Sequence, residues 1–82
     1  MKVLKFYATW CEPCKMLSRI IEDAKDKINI NIEDVNIEEQ FELAQKYNIR
    51  SVPTMVVVAE DGVEIKRQSG MLMEDKLLEF LS

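Results

Sequence analysis

Trp10-Cys11-Glu12-Pro13-Cys14-Lys15 is the stretch around which the chain is organised. It holds both cysteines, the single tryptophan and one of the two prolines. A run of strand character, Val3 to Ala8, leads into it, and a run of helical character, Lys15 to about Asp26, leads out. A Cys-x-x-Cys at a strand-to-helix turn has a physical purpose. The first sulfur lies near the helix N-terminus, where backbone N–H groups without partners and the macrodipole favour an anion. The Cys11 thiol is therefore expected to titrate below an ordinary cysteine and to be the exposed, attacking sulfur. Cys14 lies one turn further in, more buried, within bonding reach of Cys11. The pair can close to a disulfide and reopen without refolding the domain.

Bulk composition narrows the remaining choices. With 82 residues, 48% of them hydrophobic, the chain is expected to form one domain over residues 1–82, around one core. The net charge is −4 and the eleven basic residues are scattered, so no nucleic-acid footprint is present. No apolar run approaches the roughly 18 residues of a membrane span. Lys5 interrupts the short N-terminal apolar run, which lacks a signal-peptide cleavage pattern, and the chain is read as cytoplasmic and monomeric. Two cysteines do not build the disulfide framework of a small secreted domain. The absence of histidine removes Cys–His nucleophilic catalysis and histidine-based metal sites. A structural zinc needs about four ligands, and one Cys-x-x-Cys offers two. Redox chemistry, which implies no bound cofactor, is the favoured reading of such a pair, with structural and metal-binding roles as the alternatives. An iron–sulfur cluster shared between two chains through Cys11 and Cys14 is a rival, and a non-catalytic binding subunit is another.

Outward from the motif, Val3, Leu4, Phe6 and Tyr7 occupy both faces of the first strand, as in a central strand covered on both sides. Met16, Leu17, Ile20, Ile21, Ala24 and Ile28 recur at helical spacing, with Pro13 in the tolerated first turn. Ile28, Ile30 and Ile32 alternate with polar residues and predict an edge strand with one buried face. Glu38 to Tyr47 predicts a short helix with Phe41, Leu43, Ala44 and Tyr47 packing inward, ended by Asn48 in a left-handed conformation. Met55 to Ala59 predicts a buried strand, Asp61-Gly62 a hairpin turn, and Val63 to Arg67 a half-exposed strand. After Gly70 a last helix carries Leu77, Leu78 and Leu81 inward. The order βαβ-α-ββα, with a right-handed crossover and a terminal hairpin, predicts a four-stranded mixed sheet with helices on both faces.

At this point the chain resembles the thioredoxin family. Phe6-Tyr7-Ala8-Thr9-Trp10-Cys11-Glu12-Pro13-Cys14-Lys15 is similar to its active-site segment, and Tyr47-Asn48-Ile49-Arg50-Ser51-Val52-Pro53-Thr54 to its cis-proline segment. Asp61-Gly62 and Ser69-Gly70 fall where the family has its hairpin turn and a substrate-groove glycine. The chain begins directly at the strand feeding the cysteines, the minimal architecture shared with glutaredoxins. The resemblance implies a thiol–disulfide oxidoreductase in which Cys11 attacks and Cys14 resolves. It implies a groove formed by Trp10, Glu12, Val52, Thr54, Gly70 and Met71, with Pro13 and Pro53 in support. It also implies disulfide-bearing protein substrates and an upstream donor, a thioredoxin reductase or a glutathione system. The bland alternatives are that Trp10 is core packing, Pro53 an ordinary turn residue, and Lys15 a solvated charge. A glutaredoxin-like carrier, serving for example ribonucleotide reductase, also fits the short architecture. Against it stand the aromatic-free Cys-Glu-Pro-Cys and the lack of that family's glycine-rich glutathione segment after the hairpin.

Lys5 and Asp34 interrupt faces that are otherwise apolar. Lys5 shares parity with Val3 and Tyr7, and Asp34 with Ile28, Ile30 and Ile32. Strand neighbours lie about 4.8 Å apart, within reach of a lysine stem. The two are read as an ion pair beneath Cys14, the removal of either partner costing about 3–5 kcal/mol if the pair is buried. The resemblance adds that thioredoxins hold an acid–lysine pair at these positions, here with the signs exchanged, so Asp34 is read as the group that takes the Cys14 proton through a water. The alternative is that Lys5 snorkels past the sheet edge and Asp34 caps a turn.

Overall fold

The computed structural model describes residues 1–82. The elements are β1 (Lys2–Tyr7), α1 (Glu12–Asp23), a 3₁₀ turn (Lys25–Lys27), β2 (Asn31–Asn36), α2 (Phe41–Lys46), β3 (Thr54–Val58), β4 (Glu64–Ser69) and α3 (Glu74–Leu81). The strands form one mixed sheet in the order β2-β1-β3-β4. β1 pairs in parallel with β2 and antiparallel with β3, and β3 pairs antiparallel with β4. The predicted βαβ-α-ββα architecture is the observed one.

The alternation along β1 sorts the core into two layers. Leu4 and Phe6 face α2 and pack with Val35, Ala44, Tyr47, Val56 and Val58. Val3 faces the other way, with Leu17 of α1, Met55 and Val57 of β3, and Leu77 of α3. Both faces of β1 and β3 are covered, which is why these strands read as near-continuous apolar runs. β4 is exposed along almost its whole length. It is anchored by Arg67, whose guanidinium grips Glu64 through Nε and Nη2 at 2.8 and 2.7 Å and also donates to the Tyr47 carbonyl at 2.6 Å. That hydrogen bonding holds the Glu64 carboxyl below the usual carboxylate range.

Several boundaries differ from the sequence reading. The isoleucine stretch becomes a strand only at Asn31, because β1 offers its first partner at Lys2. Ile28 and Ile30 precede the strand, yet they pack on the same layer as Ile32, so their burial parity was informative while their strand assignment was not. Helix α1 ends at Asp23, and the chain tightens into the 3₁₀ turn instead of continuing to Asp26. The second helix starts three residues late. The Asn36 side-chain oxygen accepts the Glu38 and Glu39 N–H groups, and the Asn36 carbonyl accepts that of Gln40, so a turn precedes the helix. Phe41, predicted to pack inward, becomes the first helical residue and is 62% exposed. Asn48 has φ +54°, ending the helix as predicted, and Gly62 has φ +87° in the hairpin.

The two apolar residues Leu17 and Phe41 therefore respond differently to truncation. Leu17→Ala, at a site with no exposure, is expected to cost about 2–5 kcal/mol in denaturant unfolding. Phe41→Ala is expected to stay within about 0.5 kcal/mol of the parent.

Candidate active site

The loop Ala8 to Trp10 carries the chain from the C-terminal end of β1 into α1. The Cys11 N–H donates to the Ala8 carbonyl at 3.2 Å, which fixes the turn. Cys11 is the N-cap of α1, in extended conformation, and its Sγ accepts the Cys14 N–H at 3.1 Å. A sulfur thus fills the place that a serine or aspartate oxygen takes at most helix starts. Pro13 lies in the first turn, where its missing N–H removes no helical bond. Cys11 and Cys14 are joined as a disulfide, their Cα atoms 5.2 Å apart.

Both cysteines are buried, at 4% and 3% exposure, in a small cluster with Ala8, flanked by Tyr7, Ile37 and Val52. The expectation of an exposed Cys11 over a buried Cys14 is corrected for this disulfide state. What distinguishes the sulfurs is position: only Cys11 Sγ caps the helix, and it lies 3.7 Å from the Val52 carbonyl oxygen.

The second segment at the site is Ser51 to Thr54. The Val52–Pro53 peptide is cis. The Pro53 carbonyl accepts the Gly70 N–H at 2.8 Å, tying this segment to the end of β4. Gly70 has φ +88°, which a side chain would strain. Trp10 is 67% exposed, so it is not core packing. Glu12 and Lys15 are both exposed and form an ion pair at 3.4 Å on the outer face of the first turn. Thr54 departs from its expected place in the groove. Its side chain is buried, with Oγ1 donating to the Ser51 carbonyl at 2.8 Å, so it braces the segment from inside. Met71 is half-buried against the layer that holds Leu17 and Leu77.

Lys5 and Asp34 are opposite one another in the β1–β2 ladder, with Nζ 3.2 Å from Oδ1. The pairing read from parity is present, but it is not a buried pair. The Lys5 side chain is 5% exposed and that of Asp34 is 63% exposed. β2 is an edge strand, so its carboxylate reaches solvent while the central strand's lysine stem stays covered. Asp34 does not line the cleft at Cys14. That cleft is lined by Tyr7, Ala8, Thr9, Cys14, Lys15 and Ser18. Lys5 Nζ hydrogen-bonds Ser18 Oγ, a contact with no sequence signal beyond the i,i+4 relation of Ser18 to Cys14. No group of three or more potential ligand side chains comes together to hold a metal ion. No helix is long and apolar enough to cross a membrane.

A mixed four-stranded sheet whose central strand leads into a helix capped by one cysteine of a disulfide-bonded Cys-x-x-Cys defines a protein of the thioredoxin-fold class. The thioredoxin family model matches residues 1–82. Thioredoxin of Mycoplasma genitalium is 36% identical over 81 residues, covering 98% of this chain and 78% of that one. Thioredoxin of Mycoplasmoides gallisepticum is 38% identical over 80 residues, covering 96% and 79%. Among solved structures, a thioredoxin variant from Halobacterium salinarum matches with TM-score 0.85 at 33% identity, over 96% of this chain and 69% of that one. Thioredoxin of Fasciola hepatica matches at 0.82 with 35% identity, over 96% and 75%. The chain belongs to the thioredoxin family. It is a thiol–disulfide oxidoreductase, a disulfide reductase of the thioredoxin type. Membership implies disulfide-bearing protein substrates and a reductase partner.

The half-exposed geometry of the Lys5–Asp34 pair sets its energetics. Asp34→Asn is expected to cost about 1 kcal/mol or less, as for a solvent-screened ion pair. Lys5→Ala is expected to cost about 2–3 kcal/mol, mostly from the lost buried stem. A double-mutant cycle in denaturant should show coupling below about 1 kcal/mol. A cost of about 3–5 kcal/mol for Asp34→Asn would restore the buried-pair reading.

Proposed function

We propose that Cys11 is the attacking thiolate and Cys14 the resolving thiol of a protein-disulfide reductase with Trp-Cys-Glu-Pro-Cys as its active-site sequence. The observation that carries this is the Cys14 N–H on Cys11 Sγ at 3.1 Å, because a donor aimed at the helix-capping sulfur favours its charged form. Cys11 as thiolate attacks one sulfur of the substrate disulfide, and a mixed disulfide forms as the other substrate sulfur leaves. Cys14 then attacks Cys11 Sγ, closing the internal disulfide and releasing the second substrate thiolate. An upstream donor, a thioredoxin reductase or a glutathione system, restores the dithiol.

The groove for the substrate is assigned to Trp10 and Glu12 on one side and Val52, Gly70 and Met71 on the other, with Pro13, Pro53 and Thr54 supporting it. The exposure of Trp10 and the proximity of the Val52 carbonyl to Cys11 support this placement. An extended substrate chain would pair there with backbone groups beside Pro53. Residues 1–82 are assigned to a single working domain, acting as a monomer in the cytoplasm. Its partners are proteins, not nucleic acid or membrane.

Turnover of a protein disulfide with each donor tests the assignment of electron source. Selective turnover with glutathione would favour the glutaredoxin-like carrier instead. For the sulfurs, alkylation of the reduced protein near neutral pH is expected to modify Cys11 first, as read by peptide mass. Preferential modification of Cys14 would overturn the order of attack. Glu12 places a carboxylate beside Cys11, but it is exposed and paired with Lys15, so its repulsion of a thiolate is screened. Glu12→Gly is expected to lower the Cys11 thiol titration midpoint by less than about one pH unit, measured by thiolate absorbance. A rise would show that Glu12 acts through another contact.

A further inference from the structure

Lys5 is the only charged side chain among the buried residues, and the mechanism above does not use it. A buried ammonium group is costly unless its donors are taken. Two partners take them: Asp34 Oδ1 at the sheet edge, and Ser18 Oγ on α1. Ser18 follows Cys14 by one helical turn, and the two line the same cleft. The Ser18 oxygen accepts from Lys5, which leaves its own O–H free to donate.

We propose that Lys5, acting through the Ser18 hydroxyl, stabilises the thiolate of Cys14 while that sulfur is the reacting group, and is thus a positioning residue for the second half of the reaction. This rests on the assignment of Cys11 and Cys14 given above. In the resolving step the Cys14 proton leaves through the cleft to water. The thiolate electron pair forms the bond to Cys11 Sγ, and the bond between Cys11 Sγ and the substrate sulfur breaks. The substrate sulfur departs with that electron pair and takes a proton from water. Two electrons pass from the dithiol to the substrate. A cation hydrogen-bonded to the serine that shares the cleft with Cys14 favours the charged form in this step, and equally when Cys14 departs as a thiolate during re-reduction. Asp34, exposed and outside the cleft, holds the ammonium head in place rather than taking the proton.

The other titratable and charged groups facing these atoms are few. Tyr7 from β1 and Lys15 from α1 line the cleft with Cys14, and Cys11 is bonded to Cys14. Asp34 from β2 faces Lys5. Ile37 and Val52, which close over the sulfurs from the remaining segments, bring no charge. Lys15 and Lys5 are both ion-paired, with Glu12 and Asp34 respectively, but Lys5 alone also hydrogen-bonds Ser18, which lines the cleft with Cys14.

Single-turnover reaction of the reduced protein with a chromophoric aryl disulfide separates the two steps, since one aryl thiolate is released on attack and a second on resolution. The pH dependence of both phases is followed for the parent, Lys5→Met, Lys5→Arg and Ser18→Ala. Lys5→Met is expected to move the midpoint of the second phase up by about one pH unit and to slow it about tenfold near neutrality. The first phase should change less than about twofold. Lys5→Arg should keep the second phase within about threefold of the parent, and Ser18→Ala should fall between. An unmoved second-phase midpoint in Lys5→Met, or an equal loss in Lys5→Arg, overturns the role of Lys5. If Lys5→Met does not unfold cooperatively, a parental second phase in Ser18→Ala overturns it. Loss of the first phase in Cys14→Ser but not in Cys11→Ser would instead overturn the assignment of the sulfurs, a distinguishable failure.

Discussion

The reactive end of the molecule depends on one contact, the Cys14 N–H on Cys11 Sγ. A helix starts with N–H groups that lack acceptors, and the residue before it must supply one. Here the residue that starts α1 is also one of the redox pair, so helix start and reactivity share an atom. A thiolate accepts more strongly than a disulfide sulfur, so ionisation of Cys11 on reduction would strengthen the cap. The rest of the fold sets where this cap sits. Ala8 ends the approach from β1 and receives the Cys11 N–H. The Val52–Pro53 segment closes over the sulfur from the start of β3, and Gly70 holds that segment by its backbone. The site lies at the carboxyl end of the central parallel strand, where open α/β sheets characteristically place their chemistry.

Much of this was legible in the residues because local pattern and global fold agree. The alternation of β1, the helical stripe through Leu17 and the turn residues Asn48 and Gly62 each specify one arrangement, and the architecture follows. Boundaries were less legible for reasons that lie outside each segment. β2 begins where β1 supplies a partner, not where its isoleucines begin to alternate. α2 begins where the Asn36 side chain releases the backbone. Phe41 reads as apolar, and nothing local says that its position in a six-residue helix points away from the sheet.

The site divides in the same way. The cysteines, Pro13 and the exposed Trp10 carry their signals in their own spacing. Ser18 carried none, because a serine on the polar face of a helix is unremarkable until a lysine from the sheet reaches it. The Lys5–Asp34 pair was legible as a pair, since both residues broke apolar parity. Its depth was not, because depth depends on which strand is at the edge, and on what reaches past it. A central lysine facing an edge aspartate gives a charge covered at one end and wet at the other. Such a solvent-screened pair is expected to contribute little stability, yet it holds an ammonium group against the Ser18 hydroxyl of the first helix.

The order of the strands has a consequence during synthesis. The central strand β1 and both cysteines are made before β3 and the Val52–Pro53 segment that covers Cys11. On the ribosome the sulfurs therefore emerge before their cover exists, in a nascent chain with an incomplete sheet. A protein with more thiols would risk wrong bridges in that interval. Residues 1–82 hold only two cysteines, so the sole bridge available within them is the one present in the folded structure. Premature oxidation leaves this polypeptide with the same cross-link its working cycle forms.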